Sequence, residues 1–310
     1  MNQPPSTAAA EASGVTAVRS VILDYLELMK PELTSLSVLT ALGGFYLASD
    51  AFDVLEFFLV GLGTLLLGGG AGSLNQYAER SFDALMKRTE RRPLPAGRLN
   101  PSHVLVFGYT IAIAGLLILF AFVNPMTGWL GVATFCLYVY VYTPLKRKTW
   151  LSTIVGAVPG ALPPVMGWTA GGGSLDGSAA VLFGILFLWQ MPHFFSLAWM
   201  YRKDYSRAGY RMLTVTDPRG SRTSGQTLLY TLILLPVSVG MTFTGITGSM
   251  YAVGAILLGL AFLTYAVHFR MNALSPSPEG SGVNHSARLL FFASLLYLPA
   301  LFFLMTVDKM

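Results

Sequence analysis

The sequence is short of what a soluble enzyme is made from. Only 11% of its 310 residues are charged, where an ordinary globular domain carries about a quarter. It has one cysteine, Cys136, so a disulfide or a cysteine-based metal site within the chain is excluded. Cys136 lies inside an apolar run and reads as a small packing residue. The opening stretch, MNQPPSTAAAEASG, lacks the apolar core of a signal peptide. It reads as the start of a partly disordered N-terminal segment over 1–30. An Arg-rich, Ser-rich presequence is also missing, which points to a bacterial inner membrane rather than a mitochondrion.

What the chain has is apolar length. Hydrophobic residues make up 54% of it, and runs near twenty residues recur, the mark of membrane-spanning helices. Nine spans are expected, at about 34–50, 54–78, 103–123, 126–143, 151–170, 179–200, 226–246, 249–269 and 288–306. The predicted fold is all-α, a polytopic bundle forming one membrane domain over 31–310. Long polar segments fall at 79–102, 201–225 and 270–287, and the other connections are short. With the N-terminus in the cytoplasm and nine alternating spans, the basic residues from Arg19 to Arg288 share the cytoplasmic face, and Lys309 alone takes the other. That asymmetry obeys the positive-inside rule. The net charge of +5 is then explained by topology and anionic lipid, without nucleic acid.

Two spans are unusual inside. The second carries GGGAGS (Gly68 to Ser73), small residues that let helices approach closely. The fifth contains Pro159, Pro163 and Pro164. Such a helix either packs with a kink or lines a cavity, where neighbouring protein re-satisfies its freed backbone groups.

The second span runs into NQYAERSFDALMKRTERRPLPAGR (75–98). On a helix a four-residue step drifts only about 40°, so Asn75, Glu79 and Asp83 form one stripe if the helix continues. Carboxylates at a membrane boundary are costly without a partner. Mg²⁺ is suited to one or two carboxylates plus water and substrate phosphate. Lys87, Arg88, Arg91, Arg92 and Arg98 follow on a proline-stiffened loop and can approach phosphate oxygens, Arg in bidentate fashion. An acidic stripe beside cations, at the mouth of an apolar bundle, suits a diphosphate with an isoprenoid tail. The alternative is an interfacial helix on which Glu79 and Asp83 pair with Arg80 and Lys87.

The 75–98 stretch resembles the first acidic motif of the UbiA superfamily of intramembrane prenyltransferases. YTPLKRKTWLSTIVGAVPGALPPVMGW (142–168), LWQMPHFFSLAWMYRKDYSRAGYRML (188–213) and SARLLFFASLLYLPALFF (286–303) resemble, more narrowly, its haem-farnesylating branch. Together they cover most of the chain from the first span onward. The resemblance implies helices around a central cavity open to the cytoplasm. It also implies transfer of the farnesyl group of farnesyl diphosphate to a vinyl group of haem b, with addition of water. Asn75, Glu79 and Asp83 would bind Mg²⁺ through diphosphate. Arg80, Lys87, Arg88, Arg91, Arg92, Arg98, Tyr142, Lys146, Tyr201, Arg202, Lys203 and Arg207 would hold substrate, and Asp204 would belong to the second motif. Ser81 and Lys203 stand where the family often has acids, so Ser81 removes an oxygen ligand and Lys203 leans toward phosphate. Tyr138, Tyr142, Phe194 and Tyr201 are candidates to steady an allylic cation by their faces. His193 is the candidate iron ligand or base near the vinyl group. His268, His285 and His103 read as capping or surface histidines. Membrane lipid, haem a synthase and oxidase assembly proteins are the further expected partners.

Two other functions fit parts of the sequence. A quinone-precursor prenyltransferase would carry a second Asp-rich motif where QMPHF stands. A transporter using the broken fifth helix would need polar coupling residues near mid-membrane, whereas the ionisable residues here gather at the boundary.

Overall fold

A computed structural model describes residues 20–275 and 281–310. The expected N-terminal segment therefore lies outside the described residues as far as position 19. Among the described residues the chain is helical throughout: a short helix over 20–28, then α1 (Pro31–Ala48), α2 (Val54–Asp83), α3 (Pro101–Val123) and α4 (Pro125–Leu145). These are followed by α5 (Ser152–Ala170), α6 (Gly177–Met200), the short α7 (Arg202–Arg207) and α8 (Leu213–Thr216), and then α9 (Ser221–Phe243), α10 (Ser249–Leu274) and α11 (Ser281–Val307).

Seven of these helices are long and apolar enough to cross a membrane: α2, α3, α4, α6, α9, α10 and α11. The other two predicted spans are α1, with 18 residues, and α5, with 19. They pack against each other. Much of α5 is buried, Pro159, Pro163 and Pro164 included. A helix covered by protein needs less apolar surface than one facing lipid, which is why α5 is built from small residues and proline. Its carbonyls receive help from neighbours: Gln190 Nε2 donates to Ala157 O at 3.4 Å and Asn124 Nδ2 to Thr169 O at 2.9 Å.

Close approach is what the glycines provide. A Cβ on Gly167 of α5 would run into the backbone of Ala41, and one on Gly44 of α1 into the carbonyl of Pro164. Between α2 and α3, a Cβ on Gly70 would stand 2.6 Å from Gly108 O.

Two features set the mouth of the bundle. First, α2 has 30 residues, about 45 Å at 1.5 Å per residue, against a hydrocarbon core of about 30 Å. Its last turns, from Asn75 to Asp83, therefore project past the apolar zone. Second, α1 runs antiparallel to α2, so Lys30 at its start meets Asn75 near the end of α2. At the far end, Lys309 Nζ donates to the carbonyls of Tyr46 (2.7 Å) and Ser49 (2.6 Å), holding the chain's last residues to the end of α1. The Asp308 carboxylate accepts from Tyr251 N (2.7 Å) at the start of α10.

Candidate active site

The stripe expected on α2 is present, because the helix continues through all three residues. Asn75 is fully buried, Glu79 is 6% exposed and Asp83 1%. Their partners are not the neighbours on the same helix. Glu79 pairs with Lys146 Nζ at 2.9 Å, which follows the end of α4. Asp83 pairs with Arg92 Nη1 at 2.8 Å, from the loop after α2. Arg80 turns away, donating to Tyr77 O and lying over the Tyr77 ring. Lys87 is exposed. Pairing of the two acids along the helix surface is therefore not what the structure shows.

Three elements close around the stripe. Asn75 Nδ2 donates to Thr143 Oγ1 at 2.9 Å, and Thr143 Oγ1 donates to Tyr138 O at 2.9 Å. The π-helical turn Leu137–Tyr142 within α4 places Tyr138 and Tyr142 side by side, with ring centroids 5.4 Å apart. Such turns recur at functional sites. Lys146 lies over the Tyr142 ring, 4.6 Å from its centroid. Lys30 donates to Asn75 Oδ1 from the start of α1. Its backbone has φ 50°, and no other residue but glycine has positive φ among those described. Holding a side chain in that region costs energy and is found where function fixes the geometry. From the loop after α7, Tyr210 packs on Phe82, with ring centroids 5.9 Å apart.

The electrostatics are those of a site awaiting an anion. Burial, then the charges of Arg92 and Lys146, push the Lys30 ammonium down to about 7, against the opposing pull of Glu79 and Asp83. Burial would lower Lys146 too, but the Glu79 carboxylate, helped by Tyr142, more than offsets it and holds this lysine well above its ordinary value. Burial and then the Glu79 carboxylate raise the Tyr210 phenol. Six buried side-chain oxygens lack a hydrogen-bond partner among the described residues, and three of them are at this site: Asp83 Oδ1, Tyr210 Oη and Glu79 Oε1, the last met only by the Lys146 ammonium. Unsatisfied groups of this kind are rare in native interiors unless something else binds there.

Among the described residues no cluster of three or more His, Cys, Asp or Glu could cage a metal. The donors are two carboxylates and an amide, one carboxylate oxygen being unpartnered. That set fits Mg²⁺ shared with a diphosphate, which needs only one or two protein carboxylates. A cavity of about 210 Å³ adjoins the stripe, lined by Glu79, Val139, Tyr140, Thr143 and Arg147 among others.

The remaining predicted residues are distributed as follows. Arg88 reaches from the first loop to the second, its guanidinium 4.8 Å from the Tyr201 ring centroid and bonded to Tyr205 Oη at 3.3 Å. Arg98 binds Asp24 and Glu27 of the 20–28 helix, each at 2.9 Å, and Arg91 O, so it anchors the loop. Arg91 is exposed. Arg202 lies over Trp199 and donates to Asn284 at 2.7 Å, tying α6 to α11. Asp204 pairs with Arg207 at 3.4 Å, and no hydrogen bond or ion pair joins it to Glu79 or Asp83 among the described residues. Lys203 is exposed. His193 stands apart on α6, stacked between Trp189 and Phe291, with Phe194 edge-on to it. His103, His268 and His285 are exposed. Sequence reading missed Lys30, Thr143 and Tyr210. A lysine directly before Pro31 at a span boundary was the one available signal for the first, and GY in DYSRAGY for the last.

The buried carboxylates facing cations at the mouth of a helical membrane bundle suit an anionic substrate with an apolar tail, and the family match places the protein among the intramembrane prenyl-transferring enzymes. The chain belongs to the UbiA prenyltransferase family, whose model matches residues 37–279. It is 42% identical to the protoheme IX farnesyltransferase of Solibacter usitatus, over 92% of this chain and 98% of that one. The mitochondrial protoheme IX farnesyltransferase of Homo sapiens is 43% identical, over 91% of this chain and 61% of its own length. Among solved structures, digeranylgeranylglyceryl phosphate synthase superposes with a TM-score of 0.75 at 14% identity, covering 93% of this chain and 98% of that one. A UbiA homolog from Archaeoglobus fulgidus bound to GPP and Mg²⁺ gives 0.63 at 16% identity, covering 91% and 99%. At such identities the likeness speaks for the fold.

Proposed function

We propose that this protein transfers the farnesyl group of farnesyl diphosphate to a vinyl group of haem b, giving haem o and diphosphate after addition of water. The acceptor comes from relatives about 40% identical over nearly the whole chain, which carry the name protoheme IX farnesyltransferase. The observation that carries the chemistry is the buried acid–base mouth, Glu79–Lys146 and Asp83–Arg92, with Asp83 Oδ1 lacking a hydrogen-bond partner among the described residues.

In this reading Lys146, Arg92 and Lys30 turn to the diphosphate and bear the charge that develops as the allylic C–O bond breaks. Asn75, Glu79 and Asp83 hold Mg²⁺, which supplies Lewis-acid stabilisation of the leaving group when bound. Arg88 clamps the two cytoplasmic loops over the site. Tyr138 and Tyr142 present aromatic faces to the allylic carbon, and the apolar bundle keeps water from it until the vinyl carbon has attacked. The electron pair of the broken bond leaves with diphosphate. Water then adds to the cation formed beside the porphyrin and loses one proton. The mouth lies on the cytoplasmic side of a bacterial inner membrane, since the basic segments gather there and Lys309 closes the opposite face.

The test incubates the purified protein with haem b, farnesyl diphosphate and Mg²⁺ and assays haem o by mass spectrometry, with Asp83→Ala as control. Haem o from the wild type alone supports the reading. Farnesyl diphosphate binding without haem o would move the acceptor to a quinone precursor, and no binding at all would favour a transporter.

A further inference from the structure

His193 is held more tightly than a packing histidine requires. Its ring stacks on Trp189 from its own helix (centroids 5.1 Å apart, 22° between planes) and on Phe291 of α11 (4.8 Å, 30°). Its Nδ1 lies 2.8 Å from Ser294 Oγ. The same Oγ is 2.5 Å from the carbonyl oxygen of Phe291. A serine hydroxyl has one hydrogen, and a carbonyl can only accept. That hydrogen therefore goes to Phe291 O, because two oxygens at this separation repel unless a proton lies between them. Toward His193, Ser294 Oγ is left as an acceptor, so Nδ1 must carry the hydrogen. Ser294 is itself anchored, since Trp189 Nε1 donates to its carbonyl at 2.8 Å. Ser294 is fully buried and His193 half-buried, and the ring's hydrogen bond among the described residues is at Nδ1, not Nε2.

The geometry points to Ser294 as a positioning residue that fixes His193 in its Nδ1–H tautomer and presents the Nε2 lone pair to the iron of a metalloporphyrin. A histidine that ligates metal through one nitrogen commonly donates its other N–H to a fixed oxygen, which sets tautomer and ring orientation. Here Ser294, Phe291 O and Trp189 provide that outer layer before any ligand arrives. The iron-binding clause rests on the farnesyl-to-haem reading; the tautomer does not.

The experiment has two arms on the full chain in nanodiscs. The first records ¹⁵N NMR of the histidine side chains in wild type, His193→Gln (for assignment), Ser294→Ala and Ser294→Thr. The expected result is a protonated Nδ1 and unprotonated Nε2 in the wild type, a mixture in Ser294→Ala, and recovery in Ser294→Thr. A wild-type ring protonated at Nε2, or a Ser294→Ala spectrum unchanged from it, overturns the assignment of Ser294. The second arm titrates ferric haem b and, separately, metal-free protoporphyrin IX, following the Soret band. Ser294→Ala should weaken haem affinity about tenfold or more, as loss of such an outer hydrogen bond does, while leaving metal-free porphyrin affinity unchanged. Equal weakening for both porphyrins overturns iron ligation. If neither is bound by the wild type, the functional reading falls, while the NMR arm still decides the role of Ser294.

Discussion

Asp83 and Arg92 are joined by a 2.8 Å ion pair that satisfies one carboxylate oxygen and leaves the other, Oδ1, buried without a hydrogen-bond partner among the described residues. A carboxylate held half-satisfied in the protein interior is poised for a second cation. It also keeps Arg92 at the mouth, where an incoming diphosphate can take it over.

Asp83→Asn keeps the shape and removes the charge. Turnover should fall about 10²–10³-fold, the usual effect of losing one electrostatic contact made to the transition state, with KM for farnesyl diphosphate changing much less. Arg92→Gln should behave in the opposite way and raise KM more than it lowers kcat, because it removes charge that also holds the ground state. Steady-state kinetics at saturating Mg²⁺ separate the two. Equal KM effects in both variants would contradict the assignment.

Lys30 predicts a pH dependence. Its ammonium titrates near 7 because burial, Arg92 and Lys146 disfavour the charge. A diphosphate favours that charge, so its binding should raise the lysine's pKa. Below pH 7 the lysine is already protonated and binding takes up no proton there. Above pH 7 binding must take one up, so affinity should decline as pH rises, by up to about tenfold per unit. Lys30→Arg stays charged throughout, and the difference between its affinity profile and the wild type's isolates Lys30 from the titration of diphosphate itself. Parallel profiles would refute the role.

The α1–α5 contact makes a prediction about stability. Because a Cβ on Gly167 would meet the backbone of Ala41 rather than a movable side chain, Gly167→Ala must push the helices apart. Overpacking of this kind costs about 1–3 kcal/mol. Thermal unfolding in detergent should show a lower Tm. The same substitution at Gly172, where no atom would lie within 4 Å of a Cβ but φ is +98°, tests backbone strain alone and separates the two causes.

How much of this was legible beforehand depends on the range of each contact. The stripe of Asn75, Glu79 and Asp83 follows from spacing along one helix and could be read directly, as could seven apolar spans. The identity of the pairing cations could not. Arg80 and Lys87 are nearer in sequence than Lys146, yet Lys146 reaches Glu79 because the π-helical turn Leu137–Tyr142 and the packing of α4 bring it there. Lys30 and Ser294 escaped notice for the same reason, since each meets its partner only once distant helices pack. The short α1 and the proline-rich α5 were placed correctly as segments. As spans they fall short of the apolarity that identifies the other seven; for α5 the reason is that most of it is covered by protein rather than lipid.

Tyr210 yields a prediction in which stability and activity move in opposite directions. Its hydroxyl is buried beside Glu79, Asp83 and Lys146 and has no hydrogen-bond partner among the described residues. In the free protein that hydroxyl is only a cost, because burying an unsatisfied polar group forfeits about 1–3 kcal/mol of hydration. Tyr210→Phe removes the cost and keeps the ring on Phe82, so the substrate-free protein should unfold at a slightly higher temperature. With diphosphate present the hydroxyl becomes a donor to a charged oxygen, a bond worth about 1.5–3 kcal/mol. The variant should then lose about 10–100-fold in kcat/KM, and farnesyl diphosphate should raise its Tm by less than it raises the wild type's. A variant that is less stable without substrate would show that the hydroxyl has a partner of its own in the free protein. One that is stabilised yet fully active would show that Tyr210 packs beside the diphosphate without touching it.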